Sequence, residues 1–303
     1  MSAGREPRPY FVGLAQFLDL PEITRQVTVP LFHLTLSKDA FELGTVGVLK
    51  KAQLVSIEDA PKETTADSEP GSFCTLEFRV STGRFVSAHA FPLAWELLRR
   101  VTLIRLVSYP LVSFNHFEVE YSDRWEPPLR DTDFAGRFWG KAPRRLELNA
   151  AVLTDGHVQE IGSLYDKFMR LKWDRVMPLR LALDRLNDAT FELECGSPDS
   201  ILDIVIGLES LFVEPESRQE STHKVATRTA RFLEDTQLSR REIFRDVKEI
   251  YKLRSTLAHG QTWKLDDQTV SQVEHSALVL ARALRKAVQL GQAEVDLMEL
   301  DLG

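Results

Sequence analysis

An arginine and a histidine five residues apart, Arg254 and His259, stand out as a pair able to act on an anion; they lie in the segment Ser239–Gly260 (SRREIFRDVKEIYKLRSTLAHG). A guanidinium stays charged at physiological pH and presents a planar fork of donors that fits a phosphate or carboxylate. An imidazole titrates near neutrality, so it can take up a proton and give one back. Ser255 lies four residues before His259 and therefore on the same face of a helix. Arg254 and His259 diverge by roughly 140° at ~100° per residue. One chain does not easily close both around a single phosphate, whereas two chains meeting at this helix end can.

The helix that must carry these residues has clear sequence signals. Ser239 reads as an N-cap, with Glu242 completing a capping box. Ile243, Val247, Ile250 and Leu257, with Phe244 and Tyr251 alongside, mark one apolar face. Arg254 falls on that stripe, in phase with Val247 and Ile250, so it needs an anionic partner or must reach a cleft or subunit interface. Glu209, at the edge of the apolar face of the candidate helix Asp199–Val213, is the expected partner in a buried pair that fixes helix register. Gly260 suits the position just past the helix end. Residues 221–260 hold nine basic residues against five acidic ones, a net charge of +4 in a chain of −7. That asymmetry fits a polyanion footprint. Ordinary ion pairs along the helix, among Glu242, Asp246, Arg241, Arg245 and Lys248, account for part of it.

The elements around this helix divide the 303 residues in two. From Val158 onward the apolar period is helical, with candidate helices Val158–Asp174, Pro178–Glu192, Asp199–Val213, Ser221–Glu234, Ser239–His259 and Thr269–Leu290. Short connections predict a helical bundle. The first half alternates at period two in Val29–Ser37, Phe73–Val80, Phe85–Phe91 and Val112–Tyr121, with Arg145–Asn149 as a fifth candidate strand. A helix is expected over Pro92–Val107, and Glu58–Gly71 reads as a polar loop. The expected fold class is α+β: a β-rich domain with one main helix over residues 1–150, then an all-α bundle over residues 151–303. The boundary is set at Ala150–His157, where Asp155-Gly156 is a turn signal.

Other chemistries find little support. Phosphate-loop, dinucleotide, zinc-protease and nucleophile-elbow motifs are all missing from the sequence. Gly44-Thr-Val-Gly47 reads as a turn, and Asp131-Thr-Asp133 has no third ligand at calcium-loop spacing. Cys74 and Cys195 stand far apart and suggest neither a disulfide framework nor a zinc site. His33, His89 and His116 fall within strand patterns and read as partly buried structural histidines. No cofactor or metal is expected. The apolar runs Val101–Val112 and Ile201–Val213 are short and carry Arg105 and Glu209, so no membrane span is expected. The expected compartment is the reducing cytoplasm.

From Asp199 to Gly260 the sequence resembles the HEPN superfamily, specifically its Apea-like branch. The residues that carry the resemblance are Ile206-Gly-Leu-Glu-Ser-Leu-Phe212, then Lys224-Val-Ala-Thr-Arg228 with Ala230, Phe232 and Leu233. Tyr251-Lys-Leu-Arg254-Ser-Thr-Leu-Ala-His259-Gly260 completes the set. The match is close over Asp199–Gly260, loose over about the last 140 residues, and does not extend to the first 150.

The resemblance implies a helical bundle that often dimerises with its R-x-x-x-x-H helices facing each other. Active members are metal-independent endoribonucleases, many of them toxins or abortive-infection proteins. Arg254 and His259 match the two motif residues, with Ser255 and Glu209 in supporting places. Arg228 and Tyr251 match family positions and serve either bundle packing or RNA contact; Lys224 and Lys252 are solvated or touch phosphate. Many active members carry Asn, Asp or His directly after the motif arginine, where this chain has Ser255, as the Apea-like branch commonly does. The alternative is a non-catalytic HEPN module that binds RNA, a nucleotide or a protein partner. Residues 1–150 are a candidate sensor or specificity domain, with a protein trigger or antitoxin as a candidate partner.

Overall fold

A computed structural model describes residues 22–51, 74–83, 91–114, 118–121, 151–171, 176–214, 222–259, 264, 266–291 and 295–302. The candidate loop Glu58–Gly71, the candidate strand Arg145–Asn149, Asp131 and Asp133, His89, His116 and Gly260 lie outside them. So does the candidate strand Phe85–Phe91, except that Phe91 opens a helix.

The strands are β1 (Glu22–Leu31), β2 (Leu34–Leu36), β3 (Ala40–Glu42), β4 (Val48–Lys51), β5 (Cys74–Gly83), β6 (Glu118–Tyr121) and β7 (Ala151–Leu153). The first sheet runs β3-β4-β5-β1-β6 and is antiparallel throughout. Val27, Val29 and Leu31 of β1 pair in register with Phe78, Leu76 and Cys74 of β5, and all six are buried. The alternating residues are half-buried or exposed, so period-two patterning becomes one apolar sheet face. Gly47 lies between β3 and β4 with φ +137°, and a Cβ there would sit 2.4 Å from the Glu77 carbonyl oxygen. Only glycine fits that approach.

The expected strand Val29–Ser37 is broken. His33 takes φ +61°, and β2 leaves the first sheet to pair in parallel with β7. His33 thus belongs to a bend rather than a strand. The same pairing makes a strand of the segment read as a domain boundary. Asp155-Gly156 is no turn either, because helix α2 begins at Asp155, whose carboxylate suits the positive end of a helix.

The helices are α1 (Phe91–Val107), α2 (Asp155–Arg170), α3 (Met177–Glu194), α4 (Asp199–Phe212), α5 (Thr222–Leu233), α6 (Gln237–Ala258), α7 (Asp267–Leu290) and α8 (Leu297–Leu302). α1 is buried on every side from Arg100 to Val107. Its two buried arginines face different neighbours. Arg100 donates from Nε to the Val46 carbonyl at 3.0 Å, and Arg105 bonds Asn187 of α3. α1 therefore joins sheet to bundle. α3 and α4 pack along their lengths, with Arg185 bonding Asp203 at 2.8 Å. Leu280 of α7 packs against Gly207, where a Cβ would sit 2.7 Å from its methyl carbon. The described chain is thus a mixed α+β protein, with an antiparallel sheet in its first half and a helical second half. Among the described residues, no helix is long and apolar enough to cross a membrane.

Candidate functional site

α6 starts earlier than its capping signal suggests. Thr236 is the N-cap, its side chain accepting from the Ser239 backbone at 3.2 Å, so Ser239 lies inside the first turn. Arg240 fastens this end by donating from Nε to the Glu234 carbonyl at 2.8 Å. Ile243, Val247, Ile250 and Tyr251 bury the apolar face.

Burial stops at Tyr251. Beyond it the helix continues to Ala258 with no buried residue; Leu253 and Leu257 are half-buried against the core, while Lys252, Arg254, Ser255 and His259 are exposed. Arg254 thus lies on the apolar stripe by phase, yet its side chain is exposed. The expected Glu209–Arg254 pair is absent among the described residues. The Glu209 carboxylate instead accepts from the Tyr251 hydroxyl at 3.1 Å, about one turn nearer the core. Glu209 helps to seat the last buried turn of α6 and bears on the helix end only indirectly.

His259 occupies the C-cap position, and its backbone N–H bonds the Ser255 carbonyl at 3.1 Å. Its ring and the Ser255 hydroxyl share a face one turn apart. Both motif residues are therefore open to a ligand, on diverging sides of one helix end.

Of the other sequence candidates, Arg228 of α5 is fully buried. Its guanidinium donates to both carboxylate oxygens of Asp301 at 2.8 and 2.7 Å, to Glu214 at 3.0 Å and to the Phe212 carbonyl at 2.7 Å. Asp301 is held below the usual carboxylate range, first by the hydrogen bonds from Arg228 and then by the charges of Arg228, Lys224 and Arg231. Arg228 locks α8 onto the bundle, with its guanidinium closed off from solvent. Arg231 does similar work, bonding the Leu300 and Asp301 carbonyls. Tyr251 is buried, whereas Lys224 is half-buried on α5 and Lys252 is exposed, 3.3 Å from Glu249.

The nine cations counted over residues 221–260 therefore divide. Arg228, Arg231 and Arg240 are tied to the fold. Arg241, Arg245, Lys248 and Lys252 point away from it, at spacings of four, three and four along α6. That spacing is a sequence signal the count of charges passes over. A second unforeseen feature is His275 of α7, which reaches Asp246 of α6 at 3.1 Å.

Among the described residues, no group of three or more His, Cys, Asp and Glu side chains is arranged to hold a metal ion. A shallow depression of about 310 Å³, lined by Arg99, Thr102, Arg180, Asp184 and Asn187 among others, draws no residue from α6. Comparison with known proteins leaves the site to be judged on its own chemistry: no protein-family model, curated protein or solved structure matches this chain.

Proposed function

We propose that this chain is a metal-independent endoribonuclease of HEPN type, working as a homodimer through Arg254 and His259. The observation that carries the reading is the exposure of both residues near one helix end. An exposed guanidinium with no ion pair among the described residues is open to an anionic ligand.

The chemistry follows from the two groups. The 2′-oxygen of a ribose attacks the adjacent phosphorus, and His259 takes the hydroxyl proton. The bond to the 5′-oxygen breaks, and that oxygen takes its proton from the His259 imidazolium just formed. The products are a 2′,3′-cyclic phosphate and a 5′-hydroxyl. Arg254 meets the negative charge that gathers on the phosphoryl oxygens, where its fork offers two parallel hydrogen bonds. Ser255, on the His259 face, orients the ring or the ribose. Because Arg254 and His259 diverge by roughly 140° on one helix, a two-fold axis near the helix ends supplies the missing half of each site. Residues 1–150 then act as sensor or specificity domain of a cytoplasmic toxin or anti-phage defence protein.

Arg254→Ala and His259→Ala are each expected to abolish cleavage of single-stranded RNA while the bundle stays folded by circular dichroism. Arg254→Lys gives no rescue, because an ammonium lacks the fork. Mixing the two inactive alanine chains restores part of the activity, since the heterodimer regains one complete site. Cleavage that survives both alanine variants in EDTA removes the site, and a mixture that stays inactive despite proven heterodimers removes the shared cleft.

Ser255 favours the second reading, a HEPN module that binds without cutting, because active members often carry Asn, Asp or His at that place. Under that reading RNA binds the wild-type chain and leaves it intact.

A further inference from the structure

The outward cations of α6 form a continuous line that ends at the histidine. Arg241, Arg245, Lys248 and Lys252 fall within a sector of roughly 60° at ~100° per residue. His259 lies eighteen residues after Arg241, about five turns at 3.6 residues per turn, so it returns to the same side. Ser255 stands in the same line, and all six residues are exposed. The line spans about 27 Å at 1.5 Å per residue, with neighbouring side chains ~5–6 Å apart. It points away from the face that buries Val247 and Ile250.

The charges on this line are available. Among the described residues no ion pair engages Arg241, Arg245 or Lys248. The Lys252–Glu249 contact is between side chains 75% and 71% exposed, a kind of pair worth little in water. Glu242, Asp246 and Glu249 all lie on one flank of the line, and Asp246 is occupied by His275. The other flank is aromatic. Phe244 is half-buried there with Lys248 Nζ 5.7 Å from its ring centre. The exposed ring of His223, from α5, packs edge-on against Phe244 at 5.2 Å.

A row of cations beside an aromatic shelf, with the acids of α6 itself on the far flank, suits a polynucleotide whose bases are free to stack. A duplex offers no unstacked base to that shelf. We infer that the α5–α6 face is a track for single-stranded RNA: phosphates run along Arg241, Arg245, Lys248 and Lys252, a base stacks at His223 and Phe244, and the strand is delivered to Ser255 and His259. The inference rests on the ribonuclease reading for its direction of travel, but binding along the track does not require cleavage.

The test uses the cleavage-dead His259→Ala full-length chain and a fluorescein-labelled unstructured 20-nucleotide RNA, read by anisotropy over a salt series. Four phosphate contacts give a slope of log K against log salt of about −2.8, at about −0.7 per contact for single strands. Adding Lys248→Ala and Lys252→Ala lowers the slope to about −1.4. Adding His223→Ala instead leaves the slope unchanged and weakens binding by at least about fivefold. The same RNA annealed to its complement binds more weakly than the single strand. The track is overturned if the lysine variants keep the parental slope, if the duplex binds as tightly as the single strand, or if polyglutamate of equal charge displaces the RNA as well as unlabelled RNA does. The two readings separate cleanly. Wild-type binding with the expected slope but no cut leaves the track and removes the nuclease, and undiminished cutting by the Lys248→Ala/Lys252→Ala chain does the reverse.

Discussion

Replacing Asp301 by alanine takes away two of the hydrogen bonds that hold the fully buried Arg228 guanidinium, those at 2.8 and 2.7 Å. Hydrogen bonds to charged groups contribute about 1.5–3 kcal/mol each. The lower end applies, because Asp301 is itself 39% exposed and Glu214 remains at 3.0 Å as a second carboxylate. The expected cost is about 3 kcal/mol, set by a buried cation that has lost its closer counter-charge. At about 2 °C per kcal/mol for a chain of this length, the melting temperature falls by about 6 °C. Arg228→Met removes the cation with its need, so Arg228→Met/Asp301→Ala is no less stable than Arg228→Met alone, a coupling that a double-mutant cycle reads directly. The effect also has a pH signature. The Asp301 carboxyl lies below its ordinary range, chiefly through the Arg228 hydrogen bonds, so its contribution is present above the unfolded value and lost as pH falls through the folded one. Wild type and Asp301→Ala therefore differ by a constant margin near neutrality and converge below about pH 4. A neutral-pH melt of Asp301→Ala within 1 °C (roughly 0.5 kcal/mol) of wild type refutes the anchoring of α8 through Arg228.

Tyr251→Phe loses a hydrogen bond to a carboxylate and is expected to cost about 1.5 kcal/mol; Glu209→Ala adds little to it, and fully additive losses in chemical denaturation count against the pairing. Cys74 is buried and its thiol is pushed up to about 12 by desolvation, whereas Cys195 is half-buried. Native iodoacetamide treatment at pH 8 should therefore label Cys195 alone by peptide mass spectrometry, and equal labelling of Cys74 refutes its burial. Asp188 is raised above its ordinary range by desolvation first and then by the Asp203 charge. Its stabilising share is complete below the unfolded value and is lost as pH rises through the folded one, so Asp188→Asn should raise the melting temperature at pH 7 and change little at pH 4. A gain equal at both pH values refutes that cause.

Where periodicity alone decides the outcome, sequence and structure agree closely. Helices expected at Pro92–Val107 and Asp199–Val213 appear as Phe91–Val107 and Asp199–Phe212, because each carries an unbroken apolar face. Two kinds of information escape a pattern of that sort. One is a change of phase inside a run that alternates on either side: the buried residues are Val29 and Leu31, then Leu34 and Leu36, and at the switch His33 turns left-handed and β2 takes a different partner. The other is competition between equally good local signals. Thr236 and Ser239 both suit an N-cap, and α6 uses the earlier residue, where Arg240 also ties the helix start to Glu234.

The arginines show why site residues are harder to read than helices. Phase gives the direction in which a side chain leaves its helix; it does not tell whether anything stands in that direction. Arg254 leaves α6 on the same side as Val247 and Ile250, and for that reason reads as a buried ion with Glu209 as partner. Full burial stops one turn earlier, at Tyr251, which takes Glu209 as its partner, and at Arg254 the same direction leads to solvent. Arg228 is the opposite case. It reads as a candidate RNA contact within a basic stretch, yet it is closed in by Asp301, 73 residues further along the chain. A cation count over residues 221–260 cannot separate the two, because what distinguishes them is supplied by distant segments. Once those segments are in place, the surplus charge resolves into a structural set that fastens α8 and the start of α6, and an outward set in line with His259. That outward set runs along α6 to the end where Arg254 is also exposed, so substitutions that abolish binding and substitutions that unfold the bundle should fall on different arginines of the same stretch.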